Sequence, residues 1–138
     1  MFSAGVTFHL IPVRNGEVLR RISLNRAAWN EVFHHDHHSA YVFTMTPNEA
    51  DNDIAARMFG MGLSEDPGTG SAAAALIGLL AEQEGPIGQF DRVLRQGVEM
   101  GRPCRIHLQF RKEGDALTHG AIGGEAVVVA EGVLDLED

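Results

Sequence analysis

The sequence has 138 residues, of which 44% are hydrophobic, and a formal net charge of −8. One domain over residues 1–138 is long enough to bury a core, and an acidic chain without a basic run is a poor candidate for binding nucleic acid or an anionic membrane. The single cysteine, Cys104, excludes an internal disulfide and is typical of a reducing compartment. Because the N-terminal residues also lack a signal-peptide pattern, we expect a cytoplasmic protein.

Short β-rich runs with loose alternation predict strands in the first part of the chain, over residues 5–13, 40–45 and 53–59. Between the first two runs, residues 23–33 predict a short surface helix capped by Ser23 or Asn25. Its apolar residues at helical spacing predict one stripe packed on a sheet, formed by Leu24, Ala28 and Val32 with Trp29 and Phe33 alongside.

A histidine-rich loop, His34-His35-Asp36-His37-His38, follows this helix. Neutral imidazole is a good ligand for transition metals, so the loop raises the alternative of a metal-binding protein. Adjacent residues of an extended loop point apart, whereas metal sites draw ligands from helical pairs or from separate elements. We therefore expect adventitious metal binding at most, and no functional metal site.

A helix with almost no polar face is predicted over residues 72–82, after a turn that contains proline and glycine. A helix that is apolar on every side must be surrounded by protein or lipid, and this one is too short to span a bilayer. Its first turn carries only alanine, which lets neighbouring backbone approach closely. We interpret it as a central, buried helix wrapped by strands.

The N-terminus of this helix is a candidate anion site. Unpaired backbone N–H groups and the positive end of the helix dipole meet at Gly70 and Ser71. Hydroxyl groups of Thr69 and Ser71 are available as caps. The spacing does not match a nucleotide phosphate loop and no lysine follows, so a carboxylate is the expected ligand. The alternative is an ordinary capped helix start.

Strands dominate the rest of the chain and are predicted over residues 90–97, 104–111, 117–122 and 125–136. The clearest is 104–111, where Cys104, Ile106, Leu108 and Phe110 alternate with polar residues. This alternation makes Cys104 a core residue rather than a nucleophile. Together with the central helix, these strands predict an α+β fold in which a curved mixed β-sheet wraps around one apolar helix.

Motifs in this order resemble the phenazine-biosynthesis isomerase (PhzF-like) family. They are Arg-Met-Phe at 57–59, Glu-Asp-Pro-x-Thr-Gly-Ser-Ala-Ala at 65–73, Gln-Gly-x-Glu-Met-Gly-Arg-Pro at 96–103, and Gly-Gly-x-Ala-Val-Val at 123–128. The resemblance covers the chain from Ala4 onward and concerns the family's second half only. The segment between Phe59 and the Glu-Asp-Pro motif is shorter here than in the family pattern.

The resemblance implies one domain of a diaminopimelate epimerase-like fold, in which two such domains face each other across a cleft. It implies an enzyme that uses no metal or organic cofactor and moves a proton on a small carboxylic acid. Asp66 matches a site carboxylate, while Thr69, Gly70 and Ser71 match the group that binds the substrate carboxylate. The family's principal acid/base glutamate belongs to the first domain, and the motif assigns Glu65 no catalytic role.

Three hypotheses therefore remain open. The chain is the C-terminal half of an isomerase or epimerase that is incomplete or inactive without a separate first-domain chain. Alternatively, it is a non-catalytic homodimer that binds a small carboxylate. The third and weakest hypothesis is metal binding through the His34–His38 loop.

Overall fold

The computed structural model describes residues 2–33, 39–46, 52–60 and 64–135. Its helices are α1 (Gly16–Arg20), α2 (Arg26–Val32) and α3 (Gly70–Gln83). Its strands are β1 (Phe2–Ser3), β2 (Thr7–Pro12), β3 (Ala40–Met45), β4 (Ile54–Phe59), β5 (Glu65–Asp66), β6 (Ile87–Gln96), β7 (Cys104–Glu113) and β8 (Ala116–Gly123). Among these residues, no helix is both long and apolar enough to cross a bilayer.

The strands form one mixed sheet in the order β1-β2-β3-β4-β6-β7-β8, and β5 pairs with β4. Strand β2 is parallel to β3 and β4 is parallel to β6, whereas the other neighbours are antiparallel. Parallel neighbours need long crossover connections. Helices α1 and α2 lie in the crossover from β2 to β3, and α3 lies in the crossover from β4 to β6.

Helix α3 lies in the main core, against strands from both ends of the sheet. Ala72 and Ala73 are completely buried, so their small side chains let the surrounding strands approach the first turn of the helix. Leu76, also fully buried, stabilises the fold by about 2 kcal/mol through burial alone. The predicted α+β fold, a curved mixed sheet around one apolar helix, is confirmed.

A second, smaller core covers the opposite face of β3 and β4 beneath α1 and α2. Strand β3 is therefore a continuous apolar run in the sequence. Tyr41 and Phe43 belong to the α3 core, while Ala40 and Val42 belong to the second core. A strand covered on both faces loses the alternation that marks a half-exposed strand.

Helix α2 has one of its two predicted caps, Asn25, but its packed face differs in part from the prediction. It begins after Asn25, whose Oδ1 accepts hydrogen bonds from the backbone N–H groups of Ala27 (3.0 Å) and Ala28 (3.2 Å). Of the predicted stripe, Leu24 does pack, but Val32 is 68% exposed. Trp29 and Phe33, predicted alongside that stripe, do pack against the second core.

Several other boundaries differ from the prediction. Helix α1 and the two-residue strands β1 and β5 were not predicted, because elements this short carry no measurable periodicity. The predicted strand over residues 125–136 is wrong for its described part, since residues 124–135 belong to no helix or strand. Their sequence has the alternation of a strand, but no strand of the described part of the chain pairs with them.

Candidate functional site

Strand β4 brings the two halves of the candidate site together. One edge of β4 pairs with β3, and its other edge is shared by β6 and β5. Gln96, the last residue of β6, lies opposite Ala56, while Asp66 lies opposite Met58. The C-terminal end of β6 therefore meets the turn that carries Asp66. This pairing does not depend on the length of the segment between Phe59 and the Glu-Asp-Pro motif.

Asp66 is half-buried at the start of the turn that leads into α3. Its Oδ2 accepts a hydrogen bond from the hydroxyl group of Thr69 (2.7 Å), and its Oδ1 accepts one from the backbone N–H of Gly68 (3.3 Å). An ionised carboxylate has about four acceptor positions. Two donors hold its orientation and leave acceptor capacity for a further partner.

Gln96 ties this turn to the core, and its side chain is fully buried. Its Nε2 donates to the carbonyl oxygen of Asp66 (2.7 Å) and to Oγ1 of Thr69 (2.9 Å). Its Oε1 accepts from the backbone N–H of Thr69 (3.2 Å) and from the hydroxyl group of Tyr41 (3.0 Å). The sequence identified Gln96 only as part of a motif, and no local pattern indicates this role.

Tyr41 is the far end of the same network and is also fully buried. Burial raises the pKa of its phenol well above the ordinary value, and negative charge on Cys104 and Asp66 raises it further. Tyr41 therefore remains a neutral hydrogen-bond donor to Gln96 throughout the physiological pH range.

The first turn of α3 differs from the predicted cap. Thr69 occupies the N-cap position but makes no side-chain capping bond, because its hydroxyl group is committed to Asp66 and Gln96. Its carbonyl oxygen accepts the first helical bond, from the N–H of Ala73 (3.0 Å). The N–H groups of Gly70 and Ser71 lie before this first helical bond, so no carbonyl group of the helix accepts from them.

Glu65, next to Asp66, has a structural contact that fixes β5. Arg57 donates to both of its carboxylate oxygens, from Nε and Nη2, each at 2.8 Å. The other terminal nitrogen of Arg57 donates to the carbonyl oxygens of Leu19 (3.2 Å) and Ile22 (3.0 Å), so the same side chain anchors α1. The hydrogen bonds that Arg57 donates to Glu65 raise the pKa of the buried Arg57 guanidinium, which therefore stays charged.

An open cleft of about 770 Å³ lies beside the Asp66 turn. Its lining combines carboxylates, guanidinium groups and a thiol, from Asp66, Pro67, Gly68, Arg102, Pro103, Cys104, Arg105 and Glu125. Gly70 and Ser71 do not line it, so the structure brings Asp66 and Thr69 into contact but leaves the two helix-start residues outside this cavity. Arg102 is exposed there and is a cation that the sequence did not identify as a site residue.

Cys104 points toward the core side of the sheet, as its alternation predicts, but it is only half-buried. It forms part of the cleft wall, and a Cβ atom added at Gly68 would lie 3.0 Å from its Sγ. Because glycine has no Cβ atom, the turn at Gly68 can pack directly against the thiol group of Cys104.

The predicted His34–His38 loop lies outside the described residues. Within the described ranges, no group of three or more His, Cys, Asp or Glu side chains is arranged to hold a metal ion.

Comparison with known proteins identifies the family. The model of the PhzC-PhzF family, described as phenazine biosynthesis-like proteins, matches residues 1–132. The chain belongs to this family. A PhzF-family protein of Bacillus anthracis has a crystal structure that matches with a TM-score of 0.68 over 80% of this chain and 39% of that one. At 22% identity, this match shows that the two share a fold.

Curated relatives of this PhzF-like chain are isomerases by name. An uncharacterized isomerase of Mesorhizobium japonicum is 39% identical over 140 residues, which cover 96% of this chain and 46% of the relative. The trans-2,3-dihydro-3-hydroxyanthranilate isomerase of Pseudomonas aeruginosa is 34% identical over 138 residues, which cover 93% of this chain and 48% of that enzyme. The chain spans about half the length of the curated relatives it matches.

Proposed function

We propose that this PhzF-like chain supplies one half of a cofactor-independent isomerase that shifts a proton on a small carboxylic acid. In this proposal residues 1–138 form a single domain equivalent to the second half of the longer relatives, and a separate first-domain chain supplies the principal acid/base glutamate. The single cysteine and acidic composition favour a cytoplasmic location.

The observation that carries the proposal is the fixed position of Asp66. Its carboxylate is held by Thr69 and Gly68, on a turn tied to the core through Gln96, and it faces an open cleft with arginine side chains on its wall. A side chain that transfers protons must be held within hydrogen-bond reach of the reacting atom. Asp66 is therefore the catalytic residue that we assign to this half.

The start of α3 supplies the electrostatic part of the proposal. A proton shift next to a conjugated carboxylate builds negative charge on the carboxylate oxygens. Fixed N–H donors at a helix N-terminus, here those of Gly70 and Ser71, stabilise such charge in the transition state. On the wall of the cleft itself, the exposed Arg102 offers a guanidinium cation to a substrate carboxylate.

Binding of an aromatic carboxylate tests this site in the isolated chain. The name of the Pseudomonas relative includes a dihydro-hydroxyanthranilate, so 3-hydroxyanthranilate is the appropriate probe. We expect its titration to shift the NMR signals of the Gly70 and Ser71 amides, and Ser71→Arg to weaken binding. The matched control ligand is 2-aminophenol, which lacks only the carboxylate and should shift neither signal.

The variant Ser23→Ala, at an exposed position outside the site, should bind the probe as the unmodified chain does. If saturating 3-hydroxyanthranilate moves no signal between Asp66 and Ser71, the proposed carboxylate site is wrong.

The isolated chain should not catalyse proton exchange. One well-placed proton-transfer group contributes about 10²–10⁴ in rate, and the proposal places that group in another chain. Solvent deuterium incorporation into candidate acids measures the exchange directly. Robust exchange by the isolated chain that disappears in Asp66→Asn would show that this half is sufficient.

A homodimer that binds a small carboxylate is the second candidate. The observation that favours it is an apolar groove of about 320 Å³ between α3 and β8, lined by residues that include Ala74, Gly78, Leu117 and Ile122. Leu117 and Ile122 are 43% and 42% exposed. A second copy of the chain is the cover that we propose for this groove.

A further inference from the structure

A small cavity of about 100 Å³ lies beneath α1, apart from the Asp66 cleft. It is bounded by α1, by the beginning of β4, and by the end of β6 with the turn that follows it. Leu19 packs α1 onto the second core, whereas the small side chain of Ala55 leaves space beside it. Among the described residues, none lines both this cavity and the Asp66 cleft.

Arg95 and Asn52 form a positioned polar pair in the cavity lining. Asn52 is 5% exposed, and its Nδ2 donates to Oγ1 of Thr46 (2.7 Å), which fixes the orientation of the amide. Its Oδ1 accepts a long hydrogen bond from Nη1 of Arg95 (3.4 Å). A guanidinium group has five N–H donors, so the half-buried Arg95 keeps donors for a ligand while Asn52 holds it in position.

Arg20 brings a second guanidinium group to the same lining. A Cβ atom added at Gly16 would lie 3.5 Å from Nη1 of Arg20, so this side chain folds back along α1 toward the first residue of the helix. The neighbouring Arg21 pairs with Glu17 (3.9 Å), whereas no carboxylate within the described part of the chain forms a salt bridge with Arg20. Guanidinium groups bind carboxylate and phosphate oxygens in pairs of parallel hydrogen bonds.

Glu99 contributes a carboxylate to the cavity lining, opposite in sign to the two guanidinium groups. Its charge also acts on Arg57, whose pKa is raised first by the hydrogen bonds to Glu65 and further by the charge of Glu99. The lining therefore carries an excess of positive charge, and the carboxylate within it is balanced partly from outside. This local excess contrasts with the formal net charge of −8 for the whole chain.

The turn after β6 connects the cavity with the wall of the Asp66 cleft. Val98 and Glu99 line the cavity, whereas Arg102 lines the cleft. The N–H of Arg102 donates to the carbonyl oxygen of Gly97 (3.0 Å), so the turn is held together by its own backbone. A ligand in the cavity thus contacts the turn that forms the cleft wall, but through different residues.

We propose that this cavity is a second binding site, which takes a small molecule through an oxyanion group, carboxylate or phosphate. Arg95 and Arg20 bind the oxyanion, and Asn52 positions Arg95. Glu99 lowers the affinity for the anion because its charge has the same sign. The site is separate from the carboxylate site proposed at the start of α3, and the inference does not depend on the proposed isomerase function.

NMR titration of the full 138-residue chain tests the site. The probes are inorganic phosphate and acetate, added separately at an ionic strength held constant with sodium chloride. We expect a saturable shift of the Arg95 Nε–H signal and of the backbone amides of Ala55 and Val98. The probe that binds more tightly identifies the class of oxyanion, and saturation by either one supports the site.

Charge substitutions at neighbouring positions separate this site from general attraction of anions. Arg95→Gln should weaken binding by at least about tenfold, and the exposed Arg20→Gln by at least about threefold. Arg21→Gln is the matched control, since it removes the same charge from the next residue, which does not line the cavity. Glu99→Gln should tighten binding by at least about threefold, and Glu17→Gln, outside the cavity, should tighten it less.

Three outcomes would overturn the inference: no saturable shift with either probe, binding unaffected by Arg20→Gln, or equal weakening by Arg20→Gln and Arg21→Gln. The last result would show general attraction to the surface of α1. Arg20 is exposed, so its variant keeps the test decisive even where Arg95→Gln does not fold. Binding of 3-hydroxyanthranilate at Gly70 and Ser71 is a separate measurement, whose failure would leave this inference standing.

Discussion

Gln96 shows how a single buried polar residue can determine the geometry of a site. It makes four hydrogen bonds through one amide group, to Tyr41, to Thr69 and to the backbone of Asp66. Buried polar groups remain stable only when they are paired. The packing of the core therefore fixes the rotamer of Gln96, and Gln96 in turn fixes the turn that carries the Asp66 carboxylate.

Replacement of Gln96 by leucine should strongly destabilise the chain. Each buried group left without a partner costs about 1–3 kcal/mol, and Gln96→Leu leaves the Tyr41 hydroxyl and the Thr69 N–H unpaired. We expect a loss of about 3 kcal/mol in the free energy of unfolding, measured by urea denaturation. Gln109→Leu is the control: the Gln109 side chain is exposed and donates to Asp91, so this variant should change stability by less than about 0.5 kcal/mol.

Tyr41 should make the chain sensitive to alkaline pH. Its pKa is raised in the folded state, mainly by burial, whereas in the unfolded chain it titrates near 10. Below that pH both the folded and the unfolded state hold the phenol proton. The difference between their pKa values then has no effect on the free energy of unfolding. Above it the unfolded state loses the proton first, so stability falls as the pH rises.

The absorbance of the phenolate measures this directly, because Tyr41 is the only tyrosine of the sequence. We expect no phenolate signal while the chain remains folded, and a smaller alkaline loss of stability in Tyr41→Phe. That variant should lose about 1 kcal/mol at neutral pH through the missing hydrogen bond to Gln96. A phenolate signal near pH 10 in the folded chain would contradict the burial argument.

At the scale of elements, the turn after β6 sets one wall of the cleft. Gly97 has φ +77°, and its carbonyl oxygen accepts hydrogen bonds from the N–H groups of Met100 (3.2 Å) and Arg102 (3.0 Å). The turn folds back onto Pro67, in the loop that carries Asp66. Close contact between two backbone segments, together with the positive φ, is what requires glycine here.

Gly97→Ala should therefore be far more damaging than an ordinary glycine substitution. An added Cβ atom would lie 2.3 Å from the carbonyl oxygen of Arg102 and 2.7 Å from that of Pro67, so the backbone of one segment must move. We expect a loss above about 4 kcal/mol, or failure to fold. Thermal denaturation measures this loss of stability against that of a control variant, Gly114→Ala.

Gly114→Ala is that control. Gly114 has φ +62° in the hairpin turn between β7 and β8, and an added Cβ atom there meets nothing within 4 Å. It isolates the conformational cost of a positive φ, about 1–2 kcal/mol. Equal losses in the two variants would show that the contact with Pro67 contributes nothing.

At the scale of the whole molecule, the sheet curls around α3 but leaves part of the helix surface open. The groove beside β8 exposes Ala74 and Gly78 of α3, and Ile122 lies close enough to Gly70 that an added Cβ atom would meet its Cδ1 at 3.0 Å. The open surface therefore extends toward the start of the helix, where the carboxylate site is proposed.

Self-association of the isolated chain is the corresponding prediction. We expect a twofold dimer that covers the open surface around α3 and brings two Asp66 carboxylates toward one cleft. Analytical ultracentrifugation at micromolar concentration measures it, and a clean monomer of 14.9 kDa would contradict it. Ser71→Arg should disrupt a dimer formed through this surface, whereas a dimer formed through sheet edges would tolerate it.

Local patterns in the sequence were sufficient to predict the elements that are regular and long. The alternation of β7 and the apolar run of α3 predicted these elements and their buried faces, because side-chain periodicity reports burial directly. The motif at 65–73 also placed Asp66 and Thr69 in one turn. The alternation of residues 125–136 was equally clear, but a strand forms only where another strand pairs with it.

The tertiary structure alone decided how the site is held. Gln96 lies 27 residues after Thr69 and 55 after Tyr41, and no local pattern links residues so far apart. Arg57 likewise reaches Glu65 and the carbonyl groups of α1 only because β4 lies between them in the sheet. Sequence periodicity records which face of an element is buried, whereas hydrogen bonds between elements depend on strand register, which is fixed only when the whole core packs.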